Sequence, residues 1–209
     1  MTEYEGEPTP GLPGLLPPGE RILWQGSPEW RALARTAFHT RLIAGYFATL
    51  SALALAFSSA ETGYSGVVMT ATLGAVGVAL LHLLAYAAAR TTIYTLTNRR
   101  IVLRIGVAVP KCVNLPLPSI ASVDLATRAD GTGDLPLTLI GAPKLGYLAL
   151  WPHARAWRIN RPQPTLRSVP DAAGVAATIA RACLAAAPEA RTAGPESRSD
   201  ASPLMAQAA

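Results

Sequence analysis

Between Leu42 and Ala89 the chain carries none of its 18 lysines and arginines, and a single acid, Glu61. So long an uncharged apolar interval behaves as a phase separate from the rest of the sequence. Residues 42–60 and 66–89 are each long enough to cross a bilayer core of about 30 Å, which needs roughly 20 helical residues. The short connection at 61–65 forces them to run antiparallel, so the interval 42–89 is predicted to be a transmembrane helical hairpin. Arg31, Arg35 and Arg41 precede it, Arg90, Arg99, Arg100 and Arg104 follow it, and the connection has no basic residue. The positive-inside rule then places both termini of this multi-pass chain in the cytoplasm. Tyr46 and Tyr86 near one end, and Tyr64 near the other, fall where interfacial anchors belong.

Composition agrees with lipid contact. Half of the 209 residues are apolar, 15% are charged and the mean hydropathy is +0.28, more apolar than a soluble domain of this size requires. The net charge of +5 would suit nucleic acid or an anionic surface. A domain starting directly at the membrane, with no aromatic-plus-basic stacking motif, argues against nucleic acid. Cys112 and Cys183 match no zinc or redox spacing, and no disulfide is expected. The acidic start, Met1 to Glu5, is unlike a signal peptide, so no cleavage is expected.

Around the hairpin the texture changes. Residues 1–19, with five prolines and four glycines, read as a disordered arm. Residues 20–41, with Trp24, Trp30 and His39 among arginines, suit either a segment lying along the membrane interface or a plain linker. After Arg90, short apolar stretches broken by Gly, Pro, Asn and Asp predict a cytoplasmic β-domain at 90–187. The candidate strands are Thr92–Thr97, Ile101–Ile105, Ser119–Leu125, Asp134–Ile140, Gly146–Trp151, Ala156–Asn160 and Thr165–Val169. Seven short strands suggest a barrel or sandwich. A helix opening at Pro170-Asp171 should cap it with a face of Val175, Ala176, Ile179, Ala180, Cys183 and Leu184. Pro188 is expected to end that helix, and 188–209 to be a disordered tail. The fold class is therefore α+β, a two-helix transmembrane hairpin followed by a β-domain with a C-terminal capping helix. A third span over Leu135 to Trp151 is rejected, because it contains Pro136, Pro143 and Lys144 and would export four arginines.

No catalytic constellation is visible, and no enzyme is expected. His39 and His82 lie at or in the membrane, leaving His153 alone in the β-domain. Asp124, Asp130 and Asp134 read as turn formers rather than metal ligands. Gly131-Thr132-Gly133 lacks the lysine and strand-to-helix setting of a phosphate-binding loop. Gly66, Thr70 and Gly74, with Ala71, Ala75 and Ala79 beside them, make a small-residue face for helix packing, against either the first span or a different protein. His82 within a span is a candidate ligand for a chlorophyll magnesium, or a structural histidine satisfied by a carbonyl or water. The basic residues after the second span suit anionic headgroups. Asn98, Arg99, Arg100, Trp151, His153 and Arg155 are candidates for partner or lipid contact; turn formation alone would explain Asn98, and Trp151 would equally fill the barrel.

The stretches Tyr94 to Gly106, Ile120 to Asp124 and Gly131 to Leu135 resemble the bacterial pleckstrin-homology-like domains that follow membrane helices. That resemblance implies a bent, partly closed barrel of seven strands plugged by a C-terminal helix. More narrowly, Gly11 to Pro28 and Trp151 to Arg155 resemble the photosynthetic-complex assembly proteins of purple bacteria, a likeness that spans most of residues 11 to 187. It implies a non-enzymatic factor for the reaction centre and light-harvesting 1 ring, sited in the intracytoplasmic membrane. Its partners would be nascent subunits, other assembly factors, membrane lipids or a second copy of itself. No cofactor is implied, and bacteriochlorophyll at His82 is the exception to test. The broader domain family also allows a membrane-anchored lipid-binding or envelope-maintenance module.

Overall fold

The computed structural model describes residues 11–12, 14–59, 63–107, 109–141, 146–155 and 162–192. In chain order the elements are β1 (Ile22–Gly26), α1 (Trp30–Thr36), α2 (Thr40–Ala56), α3 (Ser65–Thr91), β2 (Ile93–Thr97), β3 (Arg100–Ile105) and β4 (Lys111–Pro116). There follow β5 (Ile120–Val123), β6 (Ala126–Thr127), β7 (Gly133–Leu139), α4 (Tyr147–Leu150), β8 (Thr165–Val169) and α5 (Ala172–Thr192). One four-stranded antiparallel sheet runs β1-β2-β3-β4, and in a second, β7 pairs with β5, β6 and β8.

The helical hairpin is thus inserted within a sheet rather than attached ahead of it. β1 lies before α2 and α3 in sequence yet pairs antiparallel with β2, Trp24 opposite Leu96 and Gln25 opposite Thr95. Residues 20–41 are accordingly neither a linker nor a segment lying wholly along an interface. Ile22, Leu23 and Trp24 alternate too briefly before Gly26 to announce a strand, and the pairing partner lies some 70 residues further on. The arm is also shorter than expected: Leu12 is buried, and Gly11 sits so close to Ile93 that a Cβ there would meet its Cγ2 at 2.6 Å. Extended proline-rich chain needs no internal hydrogen bonds and can lie against a sheet. Residues 1–10 lie outside the described residues.

α1 starts where Glu29 accepts hydrogen bonds from the amides of Arg31 (3.0 Å) and Ala32 (2.6 Å), satisfying two orphan donors of the first turn. Its Leu33, Ala34 and Phe38 side pack with Ala85, Ala88 and Ala89 in a small core of their own. Three alanines on α3 let α1 approach closely, so the last turns of α3 belong to this core. α3 then passes into β2 through Thr92 alone, which fixes the helix direction relative to the sheet. α2 ends at Ala56, four residues short of expectation: Phe57 is its C-cap, and the Ser58 hydroxyl turns back onto the carbonyl of Ala54 (2.7 Å). Among the described residues α3 alone is long and apolar enough to pass as a membrane span; α2, at 17 residues, is a shorter apolar helix.

The main core lies between the two sheets and α5. Tyr94, Leu96, Ile101, Leu103, Leu135, Leu137, Leu166 and Ile179 are all essentially inaccessible. Each such side chain contributes about 1.5–3 kcal/mol relative to exposure. On α5 the buried face is Ala172, Val175, Ile179, Ala182 and Ala186, a 3.6-residue stripe. The expected face is rotated: Ala180 is exposed and Leu184 is 74% exposed, because Ala182 and Ala186 are the residues that continue the Val175–Ile179 row. The helix also continues past Pro188 to Thr192. Proline removes one backbone donor but does not forbid later amides from bonding.

Among the described residues there are eight strands, differently placed from the seven expected. β1, β4 and the two-residue β6 are added, while Gly146–Trp151 forms the short helix α4 instead of a strand. The expected strand Ala156–Asn160 and the tail 193–209 lie outside the described residues. β4 escapes notice because Lys111, Cys112 and Asn114 interrupt its apolar pattern, yet it pairs along its whole length with β3, from Arg100 opposite Pro116 to Ile105 opposite Lys111.

Candidate functional site

The surface that calls for a functional explanation is that of α2 and α3. Leu42, Tyr46, Leu53, Leu55 and Phe57 on one side, and Val68, Met69, Leu73, Val76, Leu80 and Leu83 on the other, are each at least half exposed. Monomeric soluble proteins rarely expose so much contiguous apolar surface.

Within the hairpin the small-residue face is used partly inward. Phe47 of α2 lies over Gly74, where an added Cβ would stand 2.6 Å from the phenylalanine Cβ. One turn earlier the hydroxyls of Thr70 and Ser51 are 3.3 Å apart. Gly66 takes no part: a Cβ there would meet nothing within 4 Å. Thr70 and Gly74 therefore pack against the first helix of the same chain, and Gly66 remains open. Beside them, Ala44, Phe47, Ala48, Ser51, Ala71, Gly74, Ala75 and Val78 line an open apolar groove of about 400 Å³.

At the base of the hairpin a second cavity of about 420 Å³ is lined by Trp30, Arg31, Arg35, Thr40, Arg41, Ala44, Val78 and His82. Trp30 stands edge-on to His82 (6.5 Å between ring centroids) and to Tyr86 (5.9 Å), and the Arg31 guanidinium lies 5.1 Å from the Trp30 ring. His82 Nδ1 is 2.8 Å from the carbonyl of Val78, which can only accept, so Nδ1 carries the proton. A backbone carbonyl of its own helix thus fixes the tautomer, with Nδ1 donating and Nε2 left as the acceptor.

The hairpin base is joined rigidly to the β-domain. The Glu29 amide donates to the Ser168 carbonyl (2.8 Å), and Arg35 pairs with Asp130 (2.9 Å). Asp130 in turn accepts from the Thr132 hydroxyl (2.6 Å) and amide (3.1 Å). The Thr132 hydroxyl bond, the largest influence, together with the Thr132 amide and Arg35 outweighs desolvation and holds the Asp130 carboxyl below its ordinary range. Ser168 has φ +51°, left-handed backbone unusual for a residue other than glycine, and its amide is held by Asp134 Oδ1 (2.8 Å). Asp134 also pairs with Arg128 (2.6 Å), and Asp124 with Arg155 (3.0 Å). Each of the three aspartates has its own partner.

The six candidate contact residues do not form one surface. Asn98 accepts from the Arg21 amide (2.9 Å) and donates to the Gly19 carbonyl (3.0 Å), while Arg100 makes a two-pronged pair with the buried Glu20 (2.8 and 3.0 Å). Both therefore clasp the N-terminal segment to the β2–β3 turn; of that trio only Arg99 is exposed. Burial opposes ionisation of Glu20, but hydrogen bonds from Arg100 and Thr97 and the charges of Arg100 and Arg99 outweigh it, so its pKa falls. His153 is no contact residue: it is fully buried, with Nε2 3.1 Å from the Thr92 hydroxyl and Nδ1 2.7 Å from the Tyr94 phenol. Thr92 and Tyr94, two residues apart and about sixty residues earlier, gave no sign that their polar tips would need an imidazole. Trp151 is 47% exposed and stacks edge-on with Phe38 (5.4 Å), bridging the β-domain to the segment between α1 and α2. Arg155 is partly exposed and tied to Asp124 and Gln163.

What these elements define is a β-domain of two antiparallel sheets closed by a C-terminal helix, with an apolar helical hairpin spliced between its first and second strands. The family described as Bacterial PH domain matches residues 40–182, and the chain belongs to that family. A Rhodobacter capsulatus protein described as "Uncharacterized 23.7 kDa protein in puhA 5'region" is 39% identical over 189 residues, covering 88% of each chain. Among solved structures, a duf1696 family protein with a pleckstrin-homology domain from Shewanella loihica PV-4 is 18% identical, with a TM-score of 0.31, covering 44% of this chain and 70% of that one. β1 and α1 precede the matched region and complete the domain from outside it.

Proposed function

We propose that the chain is a non-enzymatic assembly factor of the PuhB family, serving the photosynthetic reaction centre and light-harvesting 1 complex in the intracytoplasmic membrane of a purple bacterium. The observation that carries this reading is the exposed apolar sleeve of α2 and α3 in a chain 39% identical to a protein of the puhA region. In this reading both helices cross the bilayer. Because Ala85, Ala88 and Ala89 are buried against α1, the lipid-embedded part of α3 is residues 65–81, about 17 residues or roughly 25 Å and the same length as α2. That is the short end of what spans a bilayer. The arginines at the base then face the cytoplasm, with both termini and the β-domain.

The hairpin associates laterally with helices of the nascent complex, and the β-domain, fixed to it through α1, contacts soluble parts of a subunit, another assembly factor or a second copy. The reading gives His82 a structural role at the hairpin base, with Nδ1 donating to the Val78 carbonyl and the Trp30 ring edge-on to the imidazole. Deleting the gene should lower reaction-centre abundance while pigment synthesis continues. Unchanged assembly in the deletion strain would remove the proposal, and would favour a lipid-binding or envelope-maintenance module in its place.

A further inference from the structure

The two cavities of the hairpin are continuous in their lining. Ala44 and Val78 belong to both, so the apolar groove between α2 and α3 adjoins the basic cavity at its end nearer α1. Three arginines and no acid line that cavity. Arg35 is already engaged with Asp130, which leaves Arg31 and Arg41, both exposed, to set its charge. The first turn of α2 opens into the same space at Thr40, and its N-cap residue, His39, supplies no side-chain hydrogen bond to the first amides. The amides of Leu42 and Ile43 donate to the His39 carbonyl, which leaves those of Thr40 and Arg41, and these with two guanidinium groups favour an anion. The groove beyond them is apolar and walled by Phe47, Ala48, Ala71 and Ala75.

From this juxtaposition we propose that the hairpin base binds a bilayer phospholipid with a net negative headgroup. Arg31 and Arg41 hold the phosphate beside the first turn of α2, and one acyl chain lies in the alanine-lined groove. The inference rests on the membrane placement given above and adds a resident ligand to it. The charge asymmetry selects an anionic headgroup over a zwitterionic one, and the groove selects a lipid over free phosphate. A tightly held lipid at this place would fill the hairpin face that Gly74 and Phe47 leave open, and would present a defined lipid surface to neighbouring helices.

The test is retention of lipid by the full-length protein purified in mild detergent, read by native mass spectrometry after adding equal amounts of phosphatidylglycerol and phosphatidylcholine. Phosphatidylglycerol should be retained about tenfold or more over phosphatidylcholine, and Arg31→Gln with Arg41→Gln should bring the two lipids level. Ala75→Phe, an exposed substitution that fills the groove and leaves both arginines in place, should also lose retained lipid. Equal retention of the two lipids by the unaltered protein overturns the proposal. So does displacement of phosphatidylglycerol by inorganic phosphate, or retention undiminished in the Ala75→Phe variant. A photo-crosslinking residue in place of Ala75 should form adducts with lipid in membranes; adducts with another protein would assign the groove to a helix and overturn it. Failure of the membrane placement would be seen separately, as release of the chain from membranes by alkaline carbonate.

Discussion

Tyr94 and His153 are joined across 2.7 Å, phenolic oxygen to Nδ1, while the same phenolic oxygen accepts the amide of Arg167 at 3.1 Å. The amide can only donate, so the buried phenolic proton has its acceptor in His153: Nδ1 accepts, and Nε2 carries the hydrogen that reaches the Thr92 hydroxyl (3.1 Å). The network therefore specifies a neutral imidazole at the point where α3 passes into β2. Burial, with a smaller contribution from the Arg167 charge, lowers the His153 pKa to about 3, and burial raises that of Tyr94.

A neutral buried histidine makes stability fall with acid. The folded pKa, about 3, lies below the unfolded value near 6.5, so the unfolded chain binds the extra proton first. The contribution is complete above about pH 6.5 and is lost as pH falls towards 3, on the order of 2 kcal/mol by pH 5. Thermal melts in detergent between pH 7 and 5 should show this slope, and His153→Gln should flatten it. Equal slopes in the two proteins would show that another group is responsible.

Phe47 over Gly74 predicts an intolerant position. Gly74→Leu drives a side chain into Phe47 and should destabilise the hairpin by about 1–3 kcal/mol, whereas Gly66→Leu, facing open space, should leave it unchanged. Phe47→Ala should partly restore the Gly74→Leu protein in a thermal melt. If the second substitution only adds to the damage, the two residues do not share the contact.

The N-terminal clasp should be severable. Arg100→Ala leaves the Glu20 carboxylate buried without its two-pronged partner and should cost about 1–3 kcal/mol. Limited proteolysis should then cut between Gly11 and Trp24 much faster, because β1 is an edge strand held at its start by this pair and by Asn98. Removing both partners, as Glu20→Gln with Arg100→Gln, should be milder than Arg100→Ala alone. Matching cleavage rates in Arg100→Ala and the unaltered protein would count against the clasp.

What the sequence disclosed followed from the range over which each signal acts. The apolar helices, the β2–β3 hairpin and α5 are encoded by local periodicity, and each was readable within a window of about twenty residues. β1 was not, because its pairing with β2 is decided by contacts across the inserted hairpin, and Ile22 to Gly26 alone is too short to register. The same distance hid the roles of Asn98 and Arg100: a turn asparagine and a surface arginine look like contact residues until Gly19, Glu20 and Arg21 are brought beside them. His153 was misplaced at the surface because polarity was visible and the two hydroxyls that satisfy it, Thr92 and Tyr94, lie about sixty residues away. The basic cavity at the hairpin base likewise exists only once α1 is folded against α3.

Topology is the claim on which the proposed function depends, and α3 supplies the means of testing it. Its 27 residues are about 40 Å long, more than a bilayer core, yet the last turns are occupied by α1, so the helix can enter lipid only from the end nearest Ser65. Tyr64 at that end is 60% exposed, and Arg99, on the far side of β2, is exposed as well. In a chain whose native cysteines are replaced by serine, Tyr64→Cys should react with a membrane-impermeant maleimide in intact cells, and Arg99→Cys only after lysis. Labelling of both in intact cells would place the β-domain outside the cytoplasm. Protection of both would mean that the hairpin never reaches the periplasm, and its apolar sleeve would then have to be covered by protein instead of lipid.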